Sequence, residues 1–143
     1  MIFDAEIAKL VSKEVLQITT RVPDCFILNT LIRPKKDGAF RMILNLKPLN
    51  KFVDYHHFKM DTFRTALKLI RPGCFMASVD LKDAYYATPI AEEDRKLRLM
   101  LQWKGKYYQF TCLPNGLPSA PRIFTKILKP VYTRLRSIGH TCM

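Results

Sequence analysis

An apolar run from Cys74 to Val79 ends on an acid, Asp80, and a second acid, Asp83, follows three residues later, ahead of Tyr85 and Tyr86. This stretch organises the chain. The run has the length and character of a strand buried on its sides. A strand that exposes an acid at its tip is a stiff mount for a hard divalent cation such as magnesium, which takes carboxylate oxygens. In that reading Asp80 is the ligand. The other reading is an Asp that caps the turn leaving the strand, with Asp83 solvated.

A chain of 143 residues is roughly one domain. Hydrophobic residues make up 48%, enough to bury a core and too many for a disordered tail. The net charge of +12 favours a polyanion, nucleic acid before an acidic membrane surface. The charge is uneven: no Asp or Glu follows Asp94, while Arg95, Lys96, Arg98, Lys104, Lys106, Arg122, Lys126, Lys129, Arg134 and Arg136 do. Trp103, Tyr107, Tyr108, Phe110 and Phe124 are interleaved with them, as on a surface that contacts phosphates and stacks bases. Equally, these aromatics serve as core and the lysines as solvated charge. Cys25, Cys74, Cys112 and Cys142 form no C-x-x-C pair, which argues against zinc or a disulfide framework. Reduced, mostly buried thiols fit an intracellular protein. No signal peptide is evident, and no apolar run reaches membrane-spanning length. His56, His57 and His140 belong to no ligand constellation.

Asp4 to about Leu16 has helical spacing, with Asp4 as the cap. Phe26–Ile32 and Phe40–Leu46 are strand-like, and Asp37-Gly38 between them signals a hairpin. That hairpin carries Lys35 and Lys36 near its tip and Arg41 just past it, either to grip a triphosphate or as gatekeepers of an edge. Lys47-Pro48-Leu49-Asn50 ends the second strand, and Val53 to Lys59 is irregular. Asp61 is the expected cap of a helix to about Ile70, closed by Arg71-Pro72-Gly73. After the Asp80 strand come two more, Leu97–Trp103 and Tyr107–Cys112, joined at Lys104-Gly105-Lys106. Leu113-Pro114-Asn115-Gly116-Leu117-Pro118 is a loop. Ser119 then caps a helix to about Arg136, with Phe124, Leu128, Val131 and Leu135 as its buried stripe and Pro130 as a kink or break.

Several motifs then point one way. Pro34-Lys35-Lys36-Asp37-Gly38 with Phe40-Arg41, Leu46-Lys47-Pro48-Leu49-Asn50, Phe58-Lys59-Met60, Asp80-Leu81-Lys82-Asp83-Ala84-Tyr85, and Leu113 through Lys126 are collinear. In order and spacing they resemble the reverse transcriptases of retrotransposons, DIRS-like or gypsy-like. The resemblance begins near residue 5, close to Met1, which is either a true start or, as that closeness favours, an internal methionine. It implies an α+β fold: the fingers and part of the palm of a right-hand polymerase, an antiparallel sheet with packed helices. The fingers would cover about residues 1–70 and the palm about 71–143. It also implies RNA-directed DNA polymerisation, in which two magnesium ions roughly 3.5–4 Å apart clamp the attacking 3′-hydroxyl and the leaving pyrophosphate. The implied partners are an RNA or DNA template with its primer and deoxynucleoside triphosphates, with no membrane.

By the same resemblance Asp80 is a catalytic metal-binding carboxylate, and the Leu81 carbonyl holds the ion that carries the triphosphate. The amides of Asp83 and Ala84 bond that triphosphate. Lys35 or Lys36, with Arg41, contacts it from the hairpin. Tyr85 packs under the sugar, where a ring excludes a ribose 2′-hydroxyl; this disfavours an RNA-templated RNA polymerase. Asn115 and Gly116 flank the incoming nucleotide, although Gln or Phe is commoner in the family at the Asn115 position. The family's aromatic-x-Asp-Asp hairpin is lacking, and with no acid after Asp94 nothing here replaces it. The expectation is a fragment of fingers and half a palm that does not polymerise by itself. The competing reading is a non-catalytic nucleic-acid-binding remnant of a retroelement.

Overall fold

The computed structural model describes residues 2–36, 38, 40–54, 56–97 and 99–143. Asp37 and Ala39 of the first hairpin tip, Tyr55 of the irregular stretch and Arg98 of the basic run lie outside the described residues. The first helix, α1, covers Ile2–Ser12. It has Asp4 in its first turn and Lys9 in its last, each complementing the helix dipole. Ile7 and Leu10, one turn apart, are its buried pair. The helix ends four residues before Leu16, earlier than the apolar spacing predicts. Glu14 takes φ +58°, and the Val15 amide turns back to the Leu10 carbonyl. Leu16 thereby starts a strand, β1 (Leu16–Thr19), instead of closing the helix.

The predicted strand at 26–32 is two strands broken at Leu28. β2 (Phe26–Ile27) runs parallel to β5 (Leu99–Trp103), and β3 (Asn29–Pro34) pairs antiparallel with β4 (Phe40–Asn45). Leu28 is buried at the break, and its amide donates to the Met100 carbonyl. β5 and β6 (Lys106–Phe110) form the second hairpin. Its two-residue turn, Lys104-Gly105, has φ of +48° and +75°, the left-handed pair that matches the twist of paired strands. The larger sheet has the order β1-β6-β5-β2, mixed rather than wholly antiparallel, and β3-β4 is a separate ribbon.

The core lies between α1, the larger sheet and the start of the ribbon. Ile7, Leu10, Val15, Leu16, Leu28, Leu46, Leu99, Leu101, Tyr108, Phe110 and Cys112 form one buried cluster. On β6, Tyr108 and Phe110 point into it at period two, opposite Leu101 and Leu16. α1 is fastened at its N-terminal end to the second hairpin. Asp4 accepts from Trp103 Nε1 at 2.9 Å and from Lys104 Nζ, and Phe3 lies on the Trp103 ring with centroids 4.1 Å apart. At its other end the Thr111 hydroxyl bonds the Glu14 carbonyl.

Lys47–Asn50, expected to end a strand, is a short helix, α2, with Pro48 in its first turn. The third helix, α3 (Phe63–Leu69), is capped by Thr62 rather than Asp61; the Thr62 amide donates to Thr65 Oγ1 at 3.4 Å. None of its side chains is buried, and Phe63 and Leu67 are exposed. The last helix, α4 (Ala120–Ser137), runs through Pro130 without a break. Ser119 stands at its N-cap without a side-chain cap bond. Its stripe is only half-buried at Phe124, Leu128 and Leu135, and Val131 is exposed.

The sharpest departure is at 74–80. The segment has no regular structure and pairs with no strand among the described residues, and Phe75, Met76 and Val79 are exposed. A strand needs a hydrogen-bonded neighbour as well as apolar side chains, and none of the six strands lies beside it. The four cysteines are free: Cys112 is buried, Cys25 and Cys142 half-buried, and Cys74 exposed, contrary to a mostly buried set. Burial pushes the Cys112 thiol up to about 11. No helix among the described residues is long and apolar enough to cross a membrane.

Candidate active site

Past Asp80 the chain makes a tight turn. Asp83 takes φ +55° and ψ +36°, and a 3-10 helix follows over Ala84–Ala87. The Asp83 carbonyl accepts from the Tyr86 and Ala87 amides at 2.9 and 3.3 Å. The amides of Asp83 and Ala84 donate to no described residue, so both remain available. The Asp83 side chain does not cap its own turn; it meets Lys13 Nζ at 2.5 Å. That hydrogen bond holds the Asp83 carboxyl below the usual carboxylate range.

The turn is tied to the body of the protein from the far side. Thr88 to Ile90 run antiparallel beside Thr111 to Leu113: Leu113 donates to the Thr88 carbonyl at 3.0 Å and Ile90 to the Thr111 carbonyl at 2.8 Å. This brings the 113–118 loop against the turn. The half-buried Tyr86 hydroxyl is pushed up by burial, while its hydrogen bond with the Asn115 side chain pulls it down. Tyr85 meets the Phe124 ring of α4 edge-on, with centroids 5.7 Å apart and planes at 89°. Gly116, at φ +98°, passes close enough to Leu46 that a Cβ there would sit 3.5 Å from its Cδ1. The Gly116 carbonyl accepts from Asn50 Nδ2 at 3.1 Å. α2, the loop, the turn and the start of α4 are thus joined by direct contacts.

The residues singled out from the sequence fall into two groups. Asp83, Ala84, Tyr85, Asn115 and Gly116 share the turn-and-loop assembly. Lys35 and Lys36 stand exposed where β3 ends, and Arg41 is exposed on β4 opposite Arg33. No hydrogen bond or ion pair among the described residues joins these three cations to Asp80. Asp80 and Leu81 are exposed at the mouth of the turn. Their carboxylate and carbonyl are hard oxygen donors of the kind magnesium takes. Among the described residues no three His, Cys, Asp or Glu gather to hold a metal, so the donor type fits and the set is incomplete. Asn115 is a partner of Tyr86 as well as a flank of the loop. Sequence reasoning missed Lys13, an unremarkable cation at a helix end, 70 residues from its partner. It also missed the bond from Asn50, which sits inside a recognised motif without a role.

The family described as reverse transcriptase (RNA-dependent DNA polymerase) matches residues 33–143. The Pro-Pol polyprotein of Simian foamy virus type 1 is 33% identical over 92 residues, 64% of this chain and 8% of that polyprotein. The transposon Tf2-3 polyprotein of Schizosaccharomyces pombe is 26% identical over 109 residues, 76% of this chain and again 8% of the relative. A foamy viral protease–reverse transcriptase solved in complex with double-stranded DNA has the same fold. Its TM-score is 0.70 at 25% identity, over 99% of this chain and 23% of that one. The chain therefore spans about a twelfth of the length of the curated relatives it matches. It belongs to the reverse transcriptase family, and its α+β fold is that of these retroelement polymerases.

Proposed function

We propose that these residues are the fingers, about 1–70, and the first part of the palm, about 71–143, of an RNA-directed DNA polymerase. In this reading it adds deoxynucleotides to a primer 3′ end on an RNA or DNA template. The observation that carries the reading is the pair of unengaged amides at Asp83 and Ala84, beside the exposed Asp80 carboxylate. Amides that point out of a tight turn suit a phosphate chain. The Asp80 carboxylate and the Leu81 carbonyl would hold magnesium together with donors from outside these residues. Two such ions, when bound, neutralise the charge that develops on the reacting phosphoryl group and leaving pyrophosphate.

What this chain's own residues do follows from their positions. Lys35 or Lys36, with Arg41, supplies mobile positive charge for the triphosphate from the ribbon. Tyr85, braced by Phe124, offers a ring for the sugar to lie on and leaves no room for a 2′-hydroxyl. Asn115 and Gly116 border the nucleotide, and Asn50 steadies that border. The net charge of +12 gives the template and primer phosphates their attraction. The foamy viral relative's complex with double-stranded DNA supports nucleic acid as the partner.

The test is primer extension by the longer protein that contains this chain. Asp80→Asn should abolish magnesium-dependent synthesis while leaving salt-dependent nucleic-acid binding within about twofold, because phosphate contacts come from the cations. Full synthesis by Asp80→Asn would overturn the reading. The 143 residues alone should bind nucleic acid and not extend a primer, since no acid follows Asp94 to complete the metal centre.

A further inference from the structure

Lys13 lies outside the residues that match the family, yet it makes the one direct side-chain contact to the Asp83 carboxylate among the described residues. Its mount is stiff. Its amide donates to the Lys9 carbonyl, Glu14 beside it is held through Thr111, and Val15 and Leu16 are buried in the core. Asp4 clamps the other end of α1 to Trp103 and Lys104. Both partners are substantially open to solvent, 38% for Lys13 and 41% for Asp83. A pair that exposed contributes little to folding. Its consequence lies in where it puts the carboxylate.

An Asp ahead of a helical turn bonds the amides of the second and third helical residues, here Tyr85 and Tyr86, when its own backbone is extended. Asp83 is left-handed instead and makes no such bond; its carboxylate meets Lys13. Without Lys13 the carboxylate would place an uncompensated negative charge beside a polyanion at the amides that the proposed function assigns to the triphosphate. We propose that Lys13 is a positioning residue for nucleotide binding: it holds and neutralises the Asp83 carboxylate so that the turn accepts a triphosphate. The first helix is thereby coupled to the nucleotide site.

The inference rests on the triphosphate reading of the turn, and steady-state kinetics of the longer polymerase containing this chain separates the two. Lys13→Gln should raise KM for deoxynucleotide about tenfold, the worth of one charge-assisted contact, with kcat within about twofold. Lys13→Arg should stay within about twofold of the parent. Adding Asp83→Asn to Lys13→Gln should bring KM back toward the parent, because the neutral side chain no longer repels phosphate. KM does not depend on the folded fraction, so partial unfolding of a variant leaves the result readable. An unchanged KM in Lys13→Gln, or a raised KM that Asp83→Asn does not relieve, overturns the inference. Arg41→Ala and Lys35→Ala/Lys36→Ala serve as the reference. If they raise KM and Lys13→Gln does not, only the Lys13 role fails; if none does, the triphosphate reading fails and takes this role with it.

Discussion

Asn50 tests how the 113–118 loop is held. Its Nδ2 donates to the Gly116 carbonyl at 3.1 Å, but its Oδ1 is buried with no partner among the described residues. Two effects oppose each other in Asn50→Ala. Loss of the hydrogen bond costs about 0.5–1.5 kcal/mol net, at the low end here because exposed Gly116 regains water. Removal of the orphaned oxygen returns about 1–3 kcal/mol of desolvation. The Ala variant should therefore be as stable as the parent or up to about 2 kcal/mol more stable. Asn50→Asp keeps an orphaned oxygen, loses the donor and turns a carboxylate toward a carbonyl, which should cost about 2 kcal/mol or more. Urea unfolding followed by tryptophan fluorescence suits the measurement. Trp103 is the sole tryptophan, and it stacks on Phe3 at the anchor of α1. With a slope of about 1–3 kcal/mol/M, the Asp variant's midpoint should fall by roughly 1–2 M, while the Ala variant's should hold or rise. An Ala variant as unstable as the Asp variant would refute this balance of terms.

Other outcomes are expected on the same grounds. Leu101→Ala removes a fully buried side chain opposite Tyr108 and should cost about 3–5 kcal/mol, whereas Leu31→Ala, 59% exposed, should stay within about 1 kcal/mol in the same urea titration. Asp4 is held down at about 2, first by its bond from Lys104 and then by that from Trp103, against 3.8 unperturbed. Because the folded value lies below the unfolded one, its contribution is complete above about pH 4 and is lost as pH falls toward about 2. Thermal melts between those values should show a shallower acid limb for Asp4→Asn than for the parent. Arg41→Ala in the longer protein should weaken nucleic-acid binding uniformly across sequences and, where Arg41 reaches a phosphate, reduce the slope of log affinity against log salt by about one. An unchanged slope would remove Arg41 from the phosphate-contacting set.

Local signals survived folding where the chain could satisfy them alone. Lys104-Gly105 forms its turn because both φ values can be positive there, and the strands on either side need only each other. The last helix runs to Ser137 because its apolar period and its basic last turn are properties of adjacent residues. Pro130, expected to kink or break it, removes one amide bond from an 18-residue helix, and the rest hold it together. Asp80 failed as a strand tip for the opposite reason. An apolar run specifies a surface that wants covering and does not specify the neighbour that covers it.

Read alone, the order of residues determined the family motifs, the two hairpins, the acid-free basic stretch after Asp94 and the identity of the side chains around the Asp83 turn, because these depend on composition and short spacing. Only the tertiary structure decided that Leu16 is a strand, that Asn50 steadies Gly116, that Asn115 serves Tyr86 and that Lys13 holds Asp83. Each is a contact between distant segments, and its geometry exists only once the core has set α1, the loop and the turn side by side.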